Sequence, residues 1–145
     1  MNTIHVKKLN PNAILPSYGS AEAAGADLYA CLEEPLAIAP GETVFVPTGI
    51  AMEVPKGCAG LVYARSGLAC KRGLAPANKV GVVDSDYRGQ IMVALHNHGN
   101  ASQTIAHGER IAQMVITPVL TPRYEEAAEL DQTLRGTGGF GSTGK

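Results

Sequence analysis

The stretch Val80-Gly81-Val82-Val83-Asp84-Ser85-Asp86-Tyr87-Arg88-Gly89-Gln90-Ile91-Met92-Val93-Ala94-Leu95 decides the fold class. Two short apolar, β-branched runs flank a polar segment, which predicts two strands joined by a loop. The connection is longer than a two-residue turn, so it reads as a β-hairpin carrying a functional loop. The same pattern continues outward. Ile50, Met52 and Val54 alternate with Ala51 and Glu53 at the period of two that a half-buried strand requires. Val44-Phe45-Val46 stops at Pro47, and Leu61-Val62-Tyr63 stops at Ala64-Arg65-Ser66-Gly67. Ile111-Ala112-Gln113-Met114-Val115-Ile116 is apolar on both faces and predicts a buried strand. Helical periodicity is nearly absent. One short helix is expected over Gly67 to Arg72, capped by Ser66 and ended by Gly73. Glu125 to Leu130 favours helix by propensity but is too short to hold one alone. Short strands punctuated by glycine and proline predict an all-β sandwich or barrel.

The 145 residues suit one domain, and neither an internal repeat nor a second domain is visible. Charged residues are only 17% of the chain and there are 17 glycines, which fits a compact β chain that hides surface in an oligomer. The net charge is −1 and no basic run exceeds Lys7-Lys8, which excludes duplex binding through many phosphate contacts. A single small anion needs only local arginines and stays within reach. Cys31, Cys58 and Cys70 are odd in number with no C-x-x-C pair, so they are expected as buried thiols in a reducing cytosol. The N-terminus has no apolar signal core, and no apolar run approaches the ~20 residues of a membrane span. A soluble, cytoplasmic protein is expected.

Several residues could carry chemistry. The tail from Arg135 reads RGTGGFGSTGK, with five glycines, one aromatic and no aliphatic side chain, so it cannot pack as a core element. Its end nearly matches GxxxxGK[ST], but with no strand before and no helix after it is not a phosphate loop. Glycine amides, Ser142, Thr143 and Arg135 nevertheless suit phosphate oxygens, and Phe140 suits a base face. Arg65-Ser66-Gly67 combines a guanidinium fork with a helix start, an arrangement suited to phosphate but also to an ordinary capped helix. Asp27 sits in the apolar run Ala24-Gly25-Ala26-Asp27-Leu28-Tyr29, where a carboxylate needs a metal, a metal-bound water or an arginine. Asp84 and Asp86, taken singly, suit turn formation as well as catalysis, and Asn78 likewise. His96, His98 and His107 lack the spacing of a metal site.

In order along the chain, AGADLYA (24–30), ARSGLA (64–69), NKVGVVDSDYRGQ (78–90), GERIAQMV (108–115) and RGTGGFGSTG (135–144) resemble the five motifs of the trimeric dUTPase family. The order and spacing match across most of the chain. The resemblance implies a jelly-roll-like β-clip subunit in a homotrimer with shared active sites and a mobile C-terminal arm. Residues 1–134 would form the β-domain with an extended arm exchanged between subunits, and 135–145 a glycine-rich lid; Pro118 and Pro122 oppose a long helix in the arm. It also implies hydrolysis of dUTP to dUMP and pyrophosphate by Mg²⁺-assisted water attack on the α-phosphate, which supplies dUMP for thymidylate synthesis.

By resemblance, Asp27 would hold waters of the Mg²⁺, and Arg65, Ser66, Gly67 and Gln113 would contact phosphates. Asn78 and the backbone of Val82 and Val83 would satisfy the uracil edge, with Met92 lining the pocket or filling the core. Asp84 would meet the 3′-hydroxyl and orient the attacking water, and Tyr87 would pack under the sugar and exclude a 2′-hydroxyl. Phe140 would stack on uracil while Arg135, Ser142 and Thr143 close over the γ-phosphate. A carboxylate is a weak base at neutral pH, so Asp84 is expected to orient water more than deprotonate it. Lys79 is a charged residue where the family is commonly apolar or small. Two other readings compete: a dCTP deaminase of the same fold, which would need a proton-shuttling carboxylate at the base, and a non-catalytic nucleotide-binding β-trimer. The intact set of Asp27, Asp84 and arginine-bearing tail favours the hydrolase.

Overall fold

The computed structural model describes residues 3–142. Its elements are β1 (Val6–Lys8), β2 (Ser17–Tyr18), β3 (Ala26–Tyr29), β4 (Leu36–Ile38), β5 (Thr43–Pro47), β6 (Ile50–Met52), β7 (Cys58–Tyr63), α1 (Ser66–Arg72), β8 (Leu74–Pro76), β9 (Gly81–Val83), β10 (Met92–Asn97), β11 (Gln103–Ile105) and β12 (Arg110–Pro118). A five-stranded sheet runs β2-β3-β12-β7-β9, a three-stranded sheet β5-β10-β8, and two ribbons pair β1 with β6 and β4 with β11. Every pairing is antiparallel. The chain thus has the all-β, jelly-roll-like fold expected, with α1 as a single short helix.

The sheets share one core. Leu28, Ile38, Ile50, Leu74, Leu95, Ile105 and Ile111 are all within 1% of complete burial, so each sheet and each ribbon anchors in the same apolar interior. Fully burying an aliphatic side chain contributes about 1.5–3 kcal/mol, and this set accounts for much of the fold's cohesion. The fully buried Asn97 is tolerated because it is satisfied: it donates from Nδ2 to the carbonyls of Ile38 (2.9 Å) and Ala101 (2.8 Å) and accepts from Gly99 N–H (3.0 Å).

Several local expectations need correction. The runs flanking 84–89 do not form a hairpin: β9 pairs with β7, whereas β10 pairs with β5 and β8. The loop therefore crosses from one sheet to the other. Period-two reasoning sees two strands and a turn signal, but partners across the sheets are long-range and leave no local mark. Ser66 is the first helical residue and not the cap; Arg65 occupies the cap position, with extended backbone and no side-chain cap bond. The alternation at 50–54 is imperfect, since Ala51 is buried along with Ile50 and Met52. Val115 and Ile116 are half-buried, and Met92 is exposed, not a core side chain. Of the cysteines only Cys31 is buried, while Cys70 is exposed. Residues 119–137 are exposed and form neither helix nor strand, Glu125 to Leu130 included. Among the described residues, no helix is long and apolar enough to cross a membrane.

Gly73 ends α1 in the left-handed region (φ 66°), and its N–H reaches the carbonyl of Ala69. A Cβ there would lie 2.9 Å from the backbone nitrogen of Gly99, which cannot swing aside. Gly73→Ala combines the ~1–2 kcal/mol cost of left-handed backbone with that collision. We expect a loss of at least about 1–2 kcal/mol in a urea titration.

Candidate active site

The gap between β9 and β10 is a cleft of about 340 Å³. Because β9 is the last strand of its sheet, one of its edges keeps amides and carbonyls unpaired by any strand. Asn78, Val82, Val83, Asp84, Tyr87 and Met92 all line this space. Gly81 makes room for Asn78, since a Cβ there would stand 3.2 Å from both Asn78 Nδ2 and Val62 Cβ. Lys79 is a turn residue with φ 66° whose N–H reaches the Pro76 carbonyl (3.1 Å), and its exposed side chain is not among the lining groups. Its side chain therefore does not fill the cleft.

The crossing loop is folded on itself. Tyr87 N–H donates to the Asp84 carbonyl (3.2 Å), and Arg88 Nη1 donates to the carbonyls of Ser85 (2.8 Å) and Tyr87 (2.9 Å). Asp84 is exposed at the mouth of the loop, and its carboxylate enters no ion pair among the described residues. Asp86 is exposed and does not line the cleft.

A second cluster forms where β3, β12 and the end of β7 meet. Asp27 is 7% exposed, and it takes Arg65 Nε on Oδ1 (2.7 Å) and Arg110 Nη1 on Oδ2 (3.4 Å). A buried carboxylate requires such partners, and two guanidiniums around one carboxylate leave a net positive charge. Gln113 pairs in register with both Asp27 and Tyr63 and donates from Nε2 to the Ala64 carbonyl (2.9 Å). The backbone just before Arg65 is thus held by Gln113 and its side chain by Asp27. Gly25 leaves room for this side chain: a Cβ there would stand 2.4 Å from Gln113 Oε1 and push the amide aside. With Nε engaged, Arg65 keeps its two terminal nitrogens for another acceptor. Beside it runs a cleft of about 420 Å³ lined by Arg65, Gly67, Lys71, Arg72 and Arg110, with Glu109 as its lone carboxylate. Ser66 is exposed in the first turn of α1.

Sequence reading missed Lys71, Arg72 and Arg110. Arg110 stood inside the GERIAQMV stretch, but only the β3–β12 register brings it to Asp27. Arg72 is a strut, donating to Gln103 Oε1 (3.0 Å) and Glu109 Oε2 (2.8 Å) and so tying α1 to the start of β12.

The tail stands apart from both clefts. Arg135 Nε folds back on the Gly138 carbonyl (2.7 Å), Phe140 is fully exposed with φ 50°, and Ser142 is exposed. Thr143 lies outside the described residues. One chain therefore gathers the residues of the third motif, separately gathers Asp27, Arg65 and Gln113, and leaves Arg135, Phe140 and Ser142 away from either. Two of the histidines have other partners: His96 Nδ1 meets Thr43 Oγ1 (2.9 Å), and His107 Nδ1 accepts Leu32 N–H (3.2 Å).

The dUTPase family model matches residues 11–144. The deoxyuridine 5′-triphosphate nucleotidohydrolase of Desulfitobacterium hafniense is 51% identical over 99% of this chain and 99% of its own. That of Acinetobacter baumannii is 46% identical over 98% of each. Among solved structures, the Staphylococcus bacteriophage 80alpha dUTPase with dUPNHPP superposes with a TM-score of 0.92 at 29% identity, covering all of both chains. The dUTPase of phage phi11 of S. aureus gives 0.82 at 25% identity, covering 91% of this chain and all of that one. Motifs, sheet topology and relatives agree: this chain belongs to the dUTPase family.

Proposed function

We propose that this chain hydrolyses dUTP to dUMP and pyrophosphate at sites shared between the subunits of a homotrimer. The observation that carries the reading is the β9–β10 cleft, where an unpaired strand edge faces Asn78, Asp84 and Tyr87. The edge of β9 and the Asn78 amide offer the alternating donors and acceptors that a uracil edge needs. Cytosine would set donor against donor and leave buried groups unpaired, a penalty of several kcal/mol. The 5-methyl of thymine would be refused by the close backbone. Tyr87 lies where the sugar would sit and leaves no space for a 2′-hydroxyl.

Phosphoryl transfer requires mainly positioning and neutralisation of charge. Arg65, kept extended by Asp27, presents its fork to the phosphates, with Gly67 and Ser66 amides and Gln113 beside it. Asp84, unpaired at the loop mouth, accepts a hydrogen bond from water and aims its oxygen at the α-phosphorus. The new bond forms from the water oxygen to the α-phosphorus, the bond to the α–β bridging oxygen breaks and that oxygen leaves with the electron pair as pyrophosphate, and the proton that water gives up passes by way of the Asp84 carboxylate to solvent. The tail residues Arg135, Phe140, Ser142 and Thr143 close over the nucleotide. Mg²⁺ fits this donor set as an ion carried by the triphosphate, because Mg²⁺ keeps several waters and needs only one or two carboxylates. Asp27 would receive one of those waters, since each of its oxygens retains a lone pair beside its arginine. When bound, Mg²⁺ supplies neutralisation of the charge that builds on the phosphate oxygens. Three free thiols are consistent with a cytoplasmic setting.

Incubating the purified protein with Mg²⁺ and either dUTP or dCTP tests the reading. Pyrophosphate from dUTP alone supports it, ammonia from dCTP makes the chain a deaminase, and neither product makes it a binding module.

The trimer has a separate rationale. The base cleft and the arginine cleft share no lining residue, and the tail reaches neither, so the parts of one site come together most simply from neighbouring chains. Leu120, Tyr124, Leu130 and Leu134 are almost fully exposed on an arm that is tied at its base by Val119 N–H to the Gly57 carbonyl (3.0 Å), and burial against another subunit would suit these side chains. Mixing Asp84→Asn chains with chains lacking residues 136–145 should restore part of the activity that each lacks alone. A monomeric mass by light scattering in an active preparation would refute shared sites.

A further inference from the structure

The crossing loop is strapped at its far end to a turn it does not neighbour in sequence. Gln90 Oε1 accepts Gly49 N–H (3.0 Å), Thr48 donates both N–H (3.2 Å) and Oγ1–H (2.6 Å) to the Ile91 carbonyl, and Ile91 N–H reaches the Ile50 carbonyl (2.8 Å). Thr48 is completely buried, and Gly49 holds φ 69° with Cys31 and Ala13 packed where a Cβ would go, so this turn is a fixed anchor. The strap continues into the cleft. The Gln90 carbonyl accepts the Tyr87 hydroxyl (2.9 Å), and the ring lies so close over Gly89 that a Cβ there would meet the hydroxyl oxygen at 2.4 Å. The position of Tyr87 is thus set by Gln90, and that of Gln90 by the Thr48–Gly49 turn.

We propose that Gln90 is a positioning residue for sugar selection, acting through Tyr87, with Thr48 as its buried support. The inference rests on the dUTP-hydrolysing reading and adds a cause for the deoxyribose preference. Selection against a 2′-hydroxyl is a matter of tenths of an ångström, so it fails when the ring can retreat. The Oε1 acceptor is the part of Gln90 that matters: without it the strap keeps its bonds at Ile91 but loses the one made by Gln90 itself, Gly49 N–H loses its partner, and the Gln90 backbone that receives the Tyr87 hydroxyl gains freedom to shift. Gln90→Glu keeps that acceptor, whereas Gln90→Met keeps the length and loses it.

The test compares kcat/KM for dUTP and for UTP in wild type, Gln90→Met, Gln90→Glu and Thr48→Val. The ratio cancels any effect of the glutamate charge on the common triphosphate. Expected is a fall in the dUTP-to-UTP ratio of on the order of 10- to 100-fold in Gln90→Met, the scale of an ångström's misplacement. Gln90→Glu should stay within about threefold of wild type, and Thr48→Val should shift the ratio in the same direction as Gln90→Met. A structural role alone would lower the melting temperature and both kcat/KM values together, with the ratio intact. An unchanged ratio in Gln90→Met, or in Thr48→Val should Gln90→Met not fold, overturns the proposal, as does a loss in Gln90→Glu equal to that in Gln90→Met. If wild type hydrolyses neither nucleotide, the functional reading itself has failed; wild-type hydrolysis with an unmoved ratio fails this inference alone.

Discussion

Asp84→Asn should bind dUTP nearly as wild type does and turn it over about 10²- to 10⁴-fold more slowly, the range removed with a positioned acid–base group. The exposed carboxylate enters no ion pair among the described residues, so amide substitution disturbs no fold contact. Stability should change by less than about 0.5 kcal/mol. The loop shape survives as well, because the bonds that close it use the backbone carbonyl of Asp84 and not its side chain. An asparagine can still accept a hydrogen bond through its oxygen, but it has no charge to polarise the attacking water. Asp86→Asn is the matched control. It is an equally exposed aspartate two positions on, outside the cleft lining, and should keep near-wild-type turnover. Single-turnover kinetics and equilibrium binding on both variants separate chemistry from affinity. A kcat for Asp84→Asn close to wild type would remove Asp84 from the water-positioning role.

The pairing of these two aspartates illustrates what the sequence could and could not disclose. Both look like turn formers in Asp84-Ser85-Asp86, and period-two patterning correctly finds the strands on either side. It cannot tell that β9 and β10 belong to different sheets, because the choice of partner is made by burial of Val62, Val93 and Leu95 against distant strands. That separation creates the cleft. The apolar run around Asp27 correctly signalled a carboxylate needing a partner. Its identity as Arg65 and Arg110 required the long-range pairing of β12 with both β3 and β7, which brings Arg65 to Asp27 across 38 residues of chain and Arg110 across 83. Met92 was ambiguous between core and cleft because side-chain period alone does not say which face of β10 is covered; its exposure settles it on the cleft. Local signals held in part: Gly73 stops α1 as glycine should and the glycine-rich tail packs against neither cleft, whereas the cap expected at Ser66 falls one residue earlier, at Arg65.

Deleting residues 136–145 should nearly abolish hydrolysis while leaving the melting temperature almost unchanged. The second half follows from packing. Phe140, the only large apolar side chain in the segment, is fully exposed, so no buried area is lost with it. The first half follows from what the nucleotide must supply. Ordering about nine residues costs roughly 1–2 kcal/mol each in backbone entropy, so closure occurs only when strong contacts offset it. Stacking of Phe140 on a base would contribute about 1–3 kcal/mol, and charge-assisted hydrogen bonds from Arg135, Ser142, Thr143 and glycine amides to a triphosphate would supply the remainder. Closure then excludes bulk water and strengthens every charge interaction at the α-phosphorus. The same balance would make such a lid selective for triphosphate: dUMP offers a single phosphate, too little to hold nine residues, and product would leave as the tail reopens. Phe140→Ala should fall between wild type and the deletion, with about 5- to 150-fold lower kcat/KM, the rate equivalent of the lost stacking. Steady-state pyrophosphate release and thermal melts on the three proteins decide the matter, and a truncated chain that hydrolyses dUTP at close to the full-length rate would show that the tail is no lid.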